Sequence, residues 1–361
     1  MKAGIITHYN VHNHGAVLQM YALTKQLGSL GYDAKALQFQ KNYDFMGREK
    51  AANKYAVSLR SVPYYINYLL KQGIGKTIFN YKKRNILQEF RNEYQLTGDF
   101  YSEAKDLSVV VIGSDEIFSI EAGPNPWYYG FGIPCKNQIS YAASFGPTTL
   151  DDIQNHNVDA MIAAGINQLK NVSVRDENSR VIVKQLTGRE AVIVCDPVLL
   201  YGFQQEKEQF VPADKDYLLV YSYDKRMNDL EDVKKIRVFA DSKGWKIYSV
   251  GFYHKWCDKN INADPLELLG WFRHARFVVT DTFHGSVLSI LCNVPMAVKL
   301  ADNQNKLRFL LEEYALTQRI LRDYDELNRI ADTEIDFETL NRSVAERHDA
   351  SLQYLTSALE G

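Results

Sequence analysis

The apolar residues of this chain come in short uninterrupted runs, and between the runs they recur every three or four positions. "AGIITH" (3–8) is the first run. After the polar turn "YNVHNHG" (9–15), Met20, Leu23, Leu27 and Leu30 share one helical face, and "AKALQF" (34–39) closes a strand–helix–strand unit. The alternation continues through "LSVVVIG" (107–113), "QISYAAS" (138–144), "NVSVRD" (171–176) and "AVIVCDP" (191–197). A strand that is apolar on both faces has to be buried on both, so the pattern predicts parallel sheets flanked by helices.

With 361 residues the chain has the length of two ordinary domains. After Leu200 the sequence turns polar and aperiodic, "YGFQQEKEQFVPADKD" (201–216), and the alternation then restarts with "YLLVYSY" (217–223). Domains are therefore expected at 1–205 and 214–361, with the last helix returning to pack on the first domain. The second half continues with a helix over 227–244, the strand "WKIYSVG" (245–251), a helix over 264–276, the strand "FVVTD" (277–281) and a further helix. The expected fold is α/β: two Rossmann-like, doubly wound domains facing across a cleft, with ligands outside the carboxyl ends of the strands.

One segment breaks the alternation. Between residues 41 and 91 Lys and Arg outnumber Asp and Glu by 11 to 3, with tyrosines interleaved, and the region from about 41 to 100 reads as a basic, Tyr-rich helical insertion. It is either a solvated face or a contact for an anionic glycan or membrane surface. The whole chain carries a formal charge of only −2, which gives no nucleic-acid signal. Its four cysteines are far apart and in no metal-binding spacing. No run approaches the ~18 apolar residues of a spanning helix, and "MKAGIITHYN" has too short an apolar stretch for a signal peptide, so a cytoplasmic protein is expected.

Polar clusters end several of the expected strands. In "TDTFHG" (280–285), Thr282 or Asp281 can cap the next helix, Gly285 can allow close backbone approach, and Ser286 adds a hydroxyl. Capping has no need of His284, and an ionisable ring in the first turn of a helix suits an anion site. Arg175 ends the strand at 171–176 and offers a planar fork for carboxylate or phosphate, unless it forms only an ion pair with the neighbouring acids. Asp115 in "GSDEIF" (113–118) is either a cap or a cleft carboxylate. His8, His12 and His14 share one loop, but alternation turns them different ways and no carboxylate lies nearby in sequence, so no metal site is read.

Taken in order, "HNHGAVLQMYAL", "VIGSDEIF", "SYAASFG", "SVRDENS", "VCDPVLL", "VTDTFHGSVLSILCNVP" and "LRFLLEEYAL" resemble the polysaccharide pyruvyl transferase family, from the first βα turn to past residue 310. The resemblance implies a GT-B-like pair of Rossmann domains. It implies a transferase that moves pyruvate from phosphoenolpyruvate onto two hydroxyls of a hexose as a ketal, in exopolysaccharide biosynthesis, without a further cofactor. By the family pattern Arg175 and His284 hold the donor and act in catalysis, with Thr282, Gly285 and Ser286 beside them on the C-terminal, donor-phosphate side. Asn13, His14, Gly15, Asp115 and Glu116 face the acceptor, a glycan or lipid-linked oligosaccharide, from the N-terminal side. Glu116 and Phe118 depart from the family's "GSDQ" followed by Trp, which bears on acceptor shape. Peripheral contact with the inner face of an anionic membrane is a further expectation. Two alternatives stand beside this reading: a sugar-nucleotide-dependent GT-B glycosyltransferase, and a non-catalytic glycan-binding protein.

Overall fold

A computed structural model describes residues 1–40, 73–121, 123–206, 209–300 and 305–360. Its strands are β1 (Lys2–Ile6), β2 (Asp33–Gln38), β3 (Thr97–Phe100), β4 (Leu107–Ile112), β5 (Gln138–Ser140), β6 (Ser173–Val174), β7 (Val192–Ile193), β8 (Tyr217–Tyr221), β9 (Lys246–Val250), β10 (Lys259–Ile261), β11 (Phe277–Thr280), β12 (Met296–Lys299) and β13 (Ile320–Leu321). One sheet runs β3-β2-β1-β4-β5 and the other β10-β9-β8-β11-β12-β13. Every pairing is parallel. Each order steps outward from a central strand and then reverses, which is the Rossmann topology repeated twice. The order reverses between β1 and β4 in one sheet and between β8 and β11 in the other.

The burial follows the reading of the apolar runs. Val109–Ile112 of β4 and Tyr217–Val220 of β8 are almost wholly inaccessible. Helix α1 (His14–Ser29) lies between the halves: its buried residues run unbroken from His14 to Leu23, because it packs on the helix Pro197–Tyr201 and on the helix Pro265–Arg273. Helix α2 (Ile74–Glu93) also reaches across. Lys83 Nζ donates to Gly251 O at 3.0 Å, and Asn262 Nδ2 donates to Phe79 O at 3.0 Å. Residues 41–72 of the insertion lie outside the described residues and 74–93 form α2, but the expected end near 100 is corrected, since Thr97–Phe100 is β3, paired with β2.

Three expected strands are shorter than their apolar runs, and that at 138–144 yields only the three-residue β5. The runs at 171–176 and 191–197 yield only the two-residue β6 and β7, which pair with each other. Serine side chains explain the break beside β5. Ser140 Oγ donates to Ser173 O, Ser173 Oγ donates to Ser140 O, and Ser173 N donates to Ser140 Oγ, each at 2.9 Å. Hydroxyls here replace part of the backbone ladder. The helix after His284, α5 below, stops at Leu291, and the apolar residues beyond it form β12 rather than more helix.

The remaining helices used below are α3 (Glu177–Thr187), α4 (Pro197–Tyr201), α5 (Phe283–Leu291), α6 (Asn305–Glu313) and α7 (Phe337–Glu360). Helix α7 crosses to the first half. Ser351 Oγ accepts from Cys195 N at 2.9 Å, and Tyr354 OH donates to Ser140 O at 3.1 Å. Among the described residues no helix is long and apolar enough to cross a membrane.

Candidate active site between the two sheets

The loops at the two reversal points face one another, and between them lies a cavity of about 390 Å³. The loop after β1 brings Asn13, that after β4 brings Asp115 and Glu116, and those after β8 and β11 bring Tyr223, Arg226, Asp281 and Thr282. Helix α5 adds Phe283 and His284, and α6 adds Lys306 and Leu307.

Thr282 is the N-cap of α5: its Oγ1 accepts from Gly285 N at 2.9 Å, and its own amide donates to Thr280 Oγ1 at 3.1 Å. The cap takes the third amide of the helix and leaves those of Phe283 and His284 without an intrahelical partner, at the positive end of the helix dipole. Gly285 is small for a reason other than ligand approach: a Cβ there would stand 2.1 Å from Thr280 Oγ1. Ser286 is fully buried, and its hydroxyl donates back to Thr282 O at 3.3 Å, so it does not point into the cavity. Both residues shape the turn from behind, which corrects their assignment to donor contact.

Asn13 caps α1, accepting from Gly15 N at 2.9 Å, and its Nδ2 donates to Tyr223 OH across the cleft at 3.4 Å. His14 is turned the other way. It is wholly buried, Nε2 meets Ala263 O at 2.9 Å, and burial, then Lys83, lowers its pKa to about 4. It joins the two halves and does not line the cavity, so the expectation of acceptor contact is corrected there. Gly15 packs flat against the His284 ring, where a Cβ would stand 2.3 Å from Cγ. Gly15→Ala is therefore expected to cost about 1–3 kcal/mol by overpacking. Gly28→Ala in the same helix, with open space around the new methyl, should be neutral or stabilising. Urea denaturation of the two variants checks this contrast.

Arg175 lies behind the cavity wall rather than on it. Its side chain is 1% exposed; Nη2 donates to Asp115 at 2.9 Å and Nη1 to Asp196 at 3.0 Å. The fork read from the sequence as open to a ligand is already held by two aspartates of the chain. The guanidinium also stacks on the Phe283 ring at 4.3 Å. The acids that follow Arg175 in sequence pair elsewhere: Asp176 caps α3 and Glu177 binds Arg180. Burial pushes the Asp115 pKa up, but Arg175, then Lys306 and His284, outweigh it and hold the carboxyl below its usual range.

Among the described residues that line the cavity, the carboxylates are Asp115, Glu116, Glu121 and Asp281, and the cations are Lys306 and Arg226. Lys306 Nζ lies 2.6 Å from Glu116 and 5.3 Å from the centre of the Phe283 ring. That pairing is the leading cause of the lowered Glu116 pKa. Arg226 is held loosely, 3.5 Å from Asp281, with 42% of its side chain exposed. Neither cation was legible as a site residue. Lys306 stands one position before the "LRFLLEEYAL" stretch, and Arg226 sits in an ordinary polar loop.

His284 is 9% exposed, and its Nε2 is sealed from solvent 3.9 Å from Asp196 Oδ2. Burial lowers its pKa, opposed by Asp196 and Asp115. The ring is thus a neutral imidazole at neutral pH, able to take a proton. The assembled site offers a proton acceptor, a helix N-terminus and a lysine, with carboxylates and the Asn13 amide in the same lining.

The family described as polysaccharide pyruvyl transferase matches residues 13–299, a span that holds Asn13, Asp115, Arg175 and His284. None of the curated proteins matches the chain. Among solved structures, Arabidopsis thaliana UGT89C1 complexed with UDP-L-rhamnose is similar at 12% identity and a TM-score of 0.53, covering 99% of this chain and 98% of that one. The S. aureus MnaA–UDP structure is similar at 9% identity and a TM-score of 0.51, covering 96% and 90%. Methanocaldococcus jannaschii UDP-GlcNAc 2-epimerase is similar at 12% identity and a TM-score of 0.50, covering 96% and 99%. At these identities the likeness concerns the fold, and the fold is the GT-B-like pair of Rossmann halves.

Proposed function

The chain belongs to the polysaccharide pyruvyl transferase family, and from that premise we propose that it transfers pyruvate from phosphoenolpyruvate to two hydroxyls of a hexose in a lipid-linked glycan precursor. The product is a cyclic ketal, and inorganic phosphate is released. The observation that carries this reading is the placement of His284 in the first turn of α5, beside two uncapped amides and Lys306, in the lining of the cavity.

Phosphoenolpyruvate brings a phosphate and a carboxylate. The α5 amides and Lys306 are groups that bind such anions. The sugar hydroxyls meet Asn13, Asp115 and Glu116, which offer hydrogen-bond acceptors in the same cavity. In the reaction two C–O bonds form at the donor's central carbon and its bond to the phosphate oxygen breaks. The two hydroxyl protons end on the donor's methylene carbon, which becomes a methyl, and on the departing phosphate. The first hydroxyl adds across the double bond as the methylene carbon takes up one proton, and the second displaces the phosphate, which leaves with the other; His284 relays a proton between these oxygens and their acceptors. Helix N-terminus and lysine stabilise charge gathering on the phosphate.

Lys306→Met is expected to weaken phosphoenolpyruvate binding about 10- to 100-fold, the worth of a charge-assisted hydrogen bond. Calorimetric titration measures this, and unchanged affinity removes Lys306 from the donor site. The basic segment at 41–91 is the proposed contact for an anionic, lipid-linked acceptor at the cytoplasmic membrane face. Such contact is screened, so binding to anionic vesicles should fall as salt rises past about 0.15 M.

A further inference from the structure

Asp196 is fully buried at the start of α4, at a place where no substrate reaches it. Its two oxygens are used differently. Oδ1 accepts from Val198 N at 2.9 Å as the helix cap. Oδ2 accepts from Arg175 Nη1 at 3.0 Å and lies 3.9 Å from His284 Nε2. That ring nitrogen is buried and has no hydrogen-bond partner. Asp196 Oδ2 is less than one ångström beyond hydrogen-bonding range of it. Nδ1 packs near Gly15 and, unlike Nε2, is not among the sealed, unpartnered side-chain atoms, and the histidine as a whole lines the cavity.

We propose that Asp196 is a positioning residue for the reaction: it draws the Nε2–H of His284 inward, so that the Nδ1 lone pair is presented to the cavity as the base. Arg175 fixes the carboxylate in place by gripping Asp196 and Asp115 together. A buried carboxylate also stabilises the imidazolium that forms when Nδ1 takes a proton, as the third member of a catalytic triad does. The charged groups around the ring are Asp196 on α4, Asp115 after β4, Arg175 after β6 and Lys306 on α6, so Asp196 is one of two carboxylates that favour the protonated ring. This inference rests on the pyruvyl-transfer reading for its chemistry but not for its geometry.

Asp196→Asn tests it. The cap to Val198 N needs an oxygen, so the asparagine keeps Oδ1 there and turns its NH2 toward Arg175 and His284. Nε2 then has to accept, and the proton moves to Nδ1. Turnover is expected to fall about 10²- to 10⁴-fold with phosphoenolpyruvate affinity unchanged, and the acid limb of the remaining rate profile should move to lower pH. Nitrogen-15 NMR of the histidine rings supplies a readout independent of turnover. In the unaltered protein neutral His284 should carry its proton on Nε2, and in the variant on Nδ1. An Nδ1–H tautomer in the unaltered protein overturns the proposal even if the variant does not fold. A variant that keeps its turnover and pH profile overturns it as well. Absence of pyruvyl transfer by the unaltered protein, with Nε2–H present, instead strikes the functional reading and leaves the geometry standing.

Discussion

Replacing His284 with asparagine is expected to leave the fold intact and to lower turnover about 10²- to 10⁴-fold, the usual worth of a positioned acid or base. The ring makes no hydrogen bond that the fold depends on, and the turn at 280–285 is held by Thr280 and Thr282 without it. Asparagine keeps a polar end in the cavity but takes up no proton near neutral pH. A histidine that only filled space would give the opposite result: a lower unfolding midpoint with turnover per folded molecule retained. Thermal unfolding and phosphate release, measured on one preparation, separate the two.

Arg175→Met is expected to have the largest effect on stability, about 3–5 kcal/mol, because it leaves the buried Asp196 and the partly buried Asp115 without their countercharge. The loss depends on pH with a defined sign. In the unaltered protein Asp115 has a lowered pKa, so its contribution is present above the unfolded carboxylate value and is lost as pH falls through the folded one. In the variant the largest of the charges that lower that pKa is gone, so it moves up and the contribution present above the unfolded carboxylate value shrinks. The gap between the two proteins is therefore full at neutral pH and narrows toward about pH 4, where carboxylates of the unfolded chain protonate. Urea denaturation at the two pH values checks it. A gap that is small at neutral pH, or that widens in acid, contradicts the assignment of Arg175 as the anchor of Asp115 and Asp196.

The fold was legible because strands buried on both faces leave a mark in the sequence that no tertiary detail can hide. Val109–Ile112 and Tyr217–Val220 are apolar without alternation, and both are central strands. The same signal over-read 171–176 and 191–197, since apolar content reports burial and not pairing, and there serine hydroxyls take over part of the ladder. The site was legible where a residue interrupts such a run for no structural need. His284 is of this kind, and so are Asn13 and Asp115 at the strand ends.

Directions of side chains were not legible. His14 is one residue from Asn13, yet the first helical turn rotates it out of the cleft to Ala263 O. Arg175 has the right position and charge, but its partners lie 60 and 21 residues away in the chain. Lys306 and Arg226 come from elements with no distinctive sequence, and only the meeting of the two halves gives them a cavity to line. Glu116, noted as a departure from the family pattern, finds its reason in Lys306.

The most direct test of the account is incubation of the purified protein with phosphoenolpyruvate and a set of hexosides, following inorganic phosphate and the mass of the glycoside together. The account predicts phosphate release that requires an acceptor, matched one to one by a glycoside heavier by one pyruvate less one water, and slowed about 10²- to 10⁴-fold in His284→Asn. Phosphoenolpyruvate left unconsumed while a UDP-sugar is turned over on the same acceptors would contradict it.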